Sequence, residues 1–135
     1  MDKNNQLNKK FTIILPAFNE EKTIVKTVEA ALGTGASEIL VIDDGSIDNT
    51  VFLLAPFLKS HPQLKVISHP KNQGCGAARK TGILAASNPI FMFFDSDIEN
   101  ISSEMMTRLI SPVLRNEADF VMASFENFGR ITEYL

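Results

Sequence analysis

Five short apolar runs alternate with four longer amphipathic segments along this chain, and that alternation constrains its fold more than any other feature. The short runs, rich in β-branched and aromatic residues, are 11–15, 38–42, 64–68, 90–94 and 120–123. Runs of this length and composition read as strands. The segments between them, 23–32, 48–58, 76–86 and 103–116, repeat apolar residues at helical spacing. Ile24, Val28 and Ala31 with Leu32 share one face of the first. Val51, Leu54 with Ala55, and Leu58 share one face of the second. Asp48 is placed to cap the second helix and Ser102 or Ser103 the fourth, while Gly33 and Gly35 stop the first. Pro112 predicts a kink or a split in the fourth. The run 90–94 is wholly apolar and reads as a buried strand. Strand–helix alternation predicts βαβ units, hence an α/β fold with a mostly parallel sheet and helices on both faces.

The 135 residues suit one domain. With 44% hydrophobic and 21% charged residues, the chain has the makings of a globular core. A net charge of −3 without a basic patch argues against a nucleic-acid partner. The single cysteine, Cys75, rules out an intrachain disulfide and points to a reducing compartment. No apolar run approaches the about 20 residues that span a bilayer. Residues 1–10 are polar and lack the apolar segment of a signal peptide, so they read as a disordered lead-in, and a cytoplasmic location is expected.

The unusual residues cluster where strands end. Pro16 to Glu21 follow the first strand, Asp43-Asp44-Gly45-Ser46 the second, Asn72 to Gly76 and then Arg79 the third, and Asp95-Ser96-Asp97 the fourth. In a parallel sheet these ends share one edge, where ligands of open α/β sheets bind. With strand order 3-2-1-4, the first, second and fourth loops converge on one crevice.

Each cluster has a chemical reading and a plain one. Asp95 and Asp97, two apart in an extended segment, project to one face and can approach one Mg²⁺ or Mn²⁺; otherwise they are solvated loop carboxylates. Asp43 or Asp44 can accept a hydrogen bond from a base N–H or a ribose hydroxyl; otherwise they belong to a tight turn. Glu20 can bind ribose hydroxyls; otherwise Glu20 and Glu21 complement a helix dipole. Gly74-Cys75-Gly76 with Arg79 can let backbone approach a phosphate with a counter-charge. The glycines are no dinucleotide fingerprint, because they follow the third strand and lack a third glycine. Cys75 has no activating histidine nearby and reads as a small loop residue. His61 and His69 flank the third strand, each next to a proline, and both read as loop residues; a crevice-facing His69 is the minor alternative.

Taken together, P-A-F-N-E-E (16–21), V-I-D-D-G-S-I-D-N-T (41–50), N-Q-G-C-G-A-A-R-K-T-G-I (72–83) and F-F-D-S-D (93–97) resemble family 2 glycosyltransferases with the Rossmann-like GT-A fold. The resemblance covers about residues 11–135. It implies that Ala17, Phe18 and Glu20 contact the nucleoside and Asp44 the base. Arg79 would lie near base or diphosphate, Asp95 near ribose and metal, and Asp97 would ligate the metal. The matched stretches put Pro16, Asp43, Gly45, Ser46, Gly74, Gly76 and Ser96 in the same nucleotide-sugar site. The implied donor is a UDP- or GDP-sugar, the cofactor Mg²⁺ or Mn²⁺, and the acceptor a small molecule, lipid phosphate or glycan.

Ser124-Phe125 and residues 129–133 are similar to the acceptor segment of glucosyl-3-phosphoglycerate synthases and mannosylglycerate-type enzymes, with dolichol-phosphate-mannose-type synthases the competing assignment. Cys75 stands where the glucosyl-3-phosphoglycerate group tends to carry lysine, and Lys80 where relatives often carry asparagine. Family members are longer, so 11–135 is expected to be the nucleotide-sugar-binding part of a domain cut short at its C-terminus. The catalytic base is expected beyond Leu135. The alternative is a non-catalytic nucleotide-binding or interaction domain. Apolar surface that a missing half would cover predicts self-association.

Overall fold

The computed structural model describes residues 9–126 and 130–134, with side chains through residue 123. Four parallel strands form the central sheet: β1 (Thr12–Ala17), β2 (Glu38–Asp43), β3 (Leu64–Ser68) and β4 (Phe91–Phe93). Their order is β3-β2-β1-β4, the order under which the first, second and fourth loops were expected to converge. Helices α1 (Ile24–Leu32), α2 (Ala55–Ser60), α3 (Cys75–Ala85) and α4 (Ser103–Leu114) connect them or follow them.

The two-residue period of a strand sorts β1 and β2 between two apolar layers. Ile13, Leu15, Ile39 and Val41 pack with Ile24, Val28 and Ala31 of α1 and with Met106 and Ile110 of α4. Ile14, Leu40 and Ile42 face the other way, toward Ala78 of α3. Helices therefore cover both faces, as expected. A Cβ on Gly82 would stand 2.4 Å from Ile14 Cγ2, so glycine is what lets α3 lie this close to the sheet. Truncating a fully buried Ile or Leu in such layers costs about 2–5 kcal/mol.

Several expectations need correction. The second helix does not begin at Asp48. Its carboxylate instead accepts from the Thr50 amide and hydroxyl, a local turn that competes with helix. A 3-10 turn at Phe52–Leu54 leads into α2, and Pro56 sits in the first turn of α2, where its missing N–H costs nothing. Helix α1 starts at Ile24, beyond Glu20 and Glu21, so neither lies in its first turn. Pro112 does not split α4; it lies in the last turn, and the helix ends after Leu114. The Ser102 cap holds, its hydroxyl accepting from Met105 N at 3.1 Å.

The fourth strand is a short edge strand, exposed at Phe91. Pro16 explains its length: the β1 groups facing β4 alternate, and at Pro16 there is no N–H to extend the ladder. Ser96 Oγ donates to Pro16 O at 2.7 Å in its place. Beyond α4, β5 (Met122–Glu126) pairs antiparallel with β6 (Arg130–Tyr134) in a separate sheet. The fifth strand thus starts later than expected and does not join the parallel sheet.

Of the expected lead-in, residues 1–8 lie outside the described residues. Lys9 donates from Nζ to Asn116 Oδ1. At the amino-terminal edge of the sheet, buried Glu38 takes hydrogen bonds from Thr12 Oγ1, Ser87 N and Ser87 Oγ and pairs with Lys65. Burial works to raise this carboxyl, but the Ser87, Thr12 and Lys65 contacts outweigh it and hold it below its ordinary value.

Candidate functional site

All four loop clusters meet at the carboxyl edge of the sheet, and hydrogen bonds stitch them together. The first and second loops are laced at five points. Asn19 N donates to Ser46 Oγ at 2.9 Å and Ile47 N to Asn19 Oδ1 at 2.9 Å. Glu20 N donates to Thr50 Oγ1 at 2.8 Å, Glu21 N to Asp48 Oδ2 at 3.2 Å and Asn49 N to Glu21 Oε2 at 3.1 Å. Pro16 and Ala17 belong to β1 rather than to its loop, and Asp43 ends β2. Asp43 Oδ1 accepts from Ser46 N at 3.1 Å, which closes the turn that carries Gly45 and Ser46. The turn account of Asp43 thus describes its geometry.

Asp44 is different. It is buried, and its carboxylate gathers three donors from the third loop and the residue after β3. Oδ1 accepts from His69 Nδ1 at 2.8 Å and Gln73 N at 2.9 Å; Oδ2 accepts from Gly74 N at 2.9 Å. Burial pushes the carboxyl up, and the His69 contact and the two amides more than reverse this, so Asp44 is held ionised below its ordinary value. Gly45 runs against the same loop: a Cβ there would lie 2.6 Å from Asn72 N. Above Gly74 and Gly76 a Cβ would meet nothing within 4 Å, which leaves room for a ligand to approach that backbone. The helix α3 includes Gly76 and brings Arg79 over the ring of Phe93, 5.8 Å from its centroid. From there Arg79 Nη2 pairs with Asp95 Oδ1 at 3.2 Å, both side chains about half exposed.

The segment after β4 is a turn from Ser96 on, not an extended strand, yet exposure still alternates: Asp95 and Asp97 face solvent on either side of buried Ser96. Ser96 is anchored on both sides, by Pro16 O through its hydroxyl and by the hydroxyls of Thr23 and Thr27 through its carbonyl. It positions the two carboxylates. Glu20 looks onto them. Burial first, then the charge of Asp97, raises its carboxyl, against a Thr23 hydrogen bond that lowers it; Asp48 and Asp95 add to the rise. Four acidic groups therefore converge with Arg79 as their described counter-charge. Among the described residues no three His, Cys, Asp or Glu side chains form a ready metal cage. Two carboxylates facing excess negative charge suit Mg²⁺ or Mn²⁺, ions that typically complete their shells with water and substrate phosphate. Phe18 is exposed on the first loop, where an aromatic face is available to a ligand.

His69 is the residue the sequence reading undervalued. It is a nearly buried bridge, Nδ1 on Asp44 and Nε2 on Thr81 Oγ1 at 2.8 Å. The strand register explains the contact: Asp43 pairs with Ser68, so a histidine one step beyond β3 lies beside Asp44. Cys75 is a free, exposed thiol opening α3, and His61 lies after α2 away from this edge, bonded to Phe57 O and Ser60. The acceptor expectation for Ser124, Phe125 and residues 129–133 falls outside the described side chains.

Residues 12–133 match the model of glycosyl transferase family 2. The chain belongs to this family. Among curated family relatives, a dolichyl-phosphate beta-glucosyltransferase of Trichomonas vaginalis is 35% identical over 96 residues, covering 64% of this chain and 28% of the relative. The UDP-Glc:alpha-D-GlcNAc-diphosphoundecaprenol beta-1,3-glucosyltransferase of Escherichia coli is 34% identical over 117 residues, covering 85% and 45%. Glucosyl-3-phosphoglycerate synthase from Mycobacterium tuberculosis, solved with phosphoglyceric acid, superposes with a TM-score of 0.71 at 26% identity, covering 85% of this chain and 43% of that one. The same enzyme has been solved with Mn²⁺ and UDP-glucose. The resemblance to glucosyl-3-phosphoglycerate synthases is thus found in the fold. This family member spans less than half the length of these relatives. No described helix is long and apolar enough to cross a membrane.

Proposed function

We propose that this chain forms the nucleotide-sugar-binding part of a glycosyltransferase that moves a sugar from a UDP- or GDP-sugar to an acceptor hydroxyl with Mg²⁺ or Mn²⁺. The observation that carries this reading is the convergence, at one sheet edge, of a buried ionised Asp44 with exposed Asp95 and Asp97 and half-buried Arg79. Asp44 meets the base, and Phe18, Ala17 and Glu20 contact the nucleoside. Pro16, Asp43, Gly45 and Ser46 shape the floor, and Gly74 and Gly76 leave the diphosphate room. Asp97, with Asp95, would hold the ion, which would supply charge stabilisation for a diphosphate leaving group. Arg79, paired with Asp95 at this edge, would supply the positive charge for the diphosphate. Ser96 keeps both carboxylates in place.

The relatives' names support acceptors from a small phosphorylated acid to a polyprenyl phosphate. The single exposed thiol supports a reducing, cytoplasmic setting. The test is calorimetric titration with UDP and with GDP, each with and without Mn²⁺. Metal-dependent binding of one nucleotide that is lost in Asp97→Ala is the expected result. Binding that is indifferent to metal and to Asp97 would overturn it.

A further inference from the structure

Asp44 is not merely present at the site; its acceptor capacity is nearly used up. A carboxylate has about four lone-pair positions. On Oδ1 two are taken, by His69 Nδ1 and the Gln73 amide, and on Oδ2 one is taken by the Gly74 amide. One position remains, on Oδ2. The side chain of Asp44 is only 5% exposed and that of His69 9%, so water cannot rearrange freely around the pair. An ionised carboxylate only accepts, so His69 carries its proton on Nδ1. On its other side the ring shares a hydrogen bond between Nε2 and the Thr81 hydroxyl, and Thr81 lies on α3, the helix that also bears Arg79.

We propose that His69 is the positioning residue that sets base selectivity here: by occupying Oδ1 it leaves Asp44 one acceptor, which suits a base with a single imide N–H, such as uracil, and disfavours guanine. Guanine presents two adjacent donors, N1–H and N2–H, and needs a free position on each carboxylate oxygen. With Oδ1 filled, one guanine donor is desolvated without a partner, which weakens binding by about ten- to hundredfold. Uracil offers one donor to the one open position. The inference rests on the reading of Asp44 as the base-binding residue given above, and deepens it by naming the base.

The test measures UDP and GDP affinities in Mn²⁺ for the wild type, His69→Ala, His69→Asn and Thr81→Val, with ¹⁵N spectra of the His69 ring in the wild type. The wild type is expected to prefer UDP by about tenfold or more. In His69→Ala, which frees a position on Oδ1, the preference falls toward parity. In His69→Asn, whose amide nitrogen can replace the Nδ1 donor, it is kept. Thr81→Val, which removes only the rear contact, lowers it partway. A purely structural role would weaken both nucleotides equally in His69→Ala and leave the ratio unchanged, and that result would overturn the proposal. Equal or tighter GDP binding by the wild type would overturn it too. If neither nucleotide binds while the ring spectra show a protected Nδ1–H, the buried contact exists but the nucleotide reading of the edge fails, and the selectivity claim falls with it. A ring protonated on Nε2 instead of Nδ1 overturns the contact itself and leaves the nucleotide reading standing.

Discussion

Replacing Gly45 by alanine tests how the second and third loops are held together. Gly45 sits at φ +78°, and its missing Cβ is what allows close approach: an added methyl would stand 2.6 Å from Asn72 N, 2.6 Å from Lys71 C and 2.9 Å from Lys71 Cα. All three are backbone atoms, so no side chain can swing aside. Left-handed backbone costs an alanine about 1–2 kcal/mol. Forcing an extra carbon into packed surroundings adds about 1–3 kcal/mol. The less flexible unfolded chain returns about 0.4–1 kcal/mol. The net is a loss of about 1–5 kcal/mol, centred on about 3 kcal/mol. Gly35→Ala is the matched control, because Gly35 shares φ +78° but has nothing within 4 Å of the added carbon, so it carries the strain alone, about 1 kcal/mol. Urea unfolding with unchanged m-values measures both. Pushing residues 71–72 outward also draws the Gln73 and Gly74 amides off Asp44, so nucleotide affinity should fall in Gly45→Ala and not in Gly35→Ala. Stabilities of the two variants within about 0.5 kcal/mol of each other would refute the close-approach argument.

Other outcomes follow from the charges and the surface. Glu20→Gln removes one of four crowded acids, so it should raise stability at neutral pH by about 0.5 kcal/mol, seen as a higher Tm, while weakening metal-dependent nucleotide binding. Glu38 is held below its ordinary 4.5, so the stability it contributes is present above that pH and is lost as pH falls through its lower folded value. Glu38→Gln should therefore lower Tm at pH 7 and flatten the acid limb of a stability–pH curve. The exposed apolar residues Leu84, Phe91 and Phe120, with β4 an open edge among the described residues, should drive self-association that rises with concentration in sedimentation.

Much of this architecture was legible in the chain because the central strands obey a simple rule. Ile13 to Leu15 and Ile39 to Ile42 are apolar on both faces, as strands covered by helices on both sides must be, and every acidic cluster follows such a run. That put the loop clusters on one sheet edge, while the strand order that brings them together stayed a condition until the strands were seen paired. Local competition was harder to see. Asp48 looked like a helix cap, but its side chain closes on Thr50, and Pro56, which marks the true helix start, was hidden inside an apolar pattern. The fourth apolar run looked buried, yet Pro16 on the neighbouring strand cuts its pairing short, a cross-strand effect that no single segment reveals. Ser96 looked like a ligand contact, while its hydroxyl and carbonyl are both consumed in holding the turn. The His69–Asp44 contact depends on strand register, which becomes visible only once β2 and β3 are paired.

The most direct measurement is a crystal structure of the chain grown with Mn²⁺ and UDP, with anomalous data at the manganese edge. The expected result is one anomalous peak at Asp97, shared with the diphosphate, with the base against Asp44 and Arg79 turned from Asp95 toward phosphate. A nucleotide bound away from the edge formed by residues 16–21, 43–46, 72–79 and 95–97, or manganese that avoids Asp97, would contradict the assignment of this edge as the donor site.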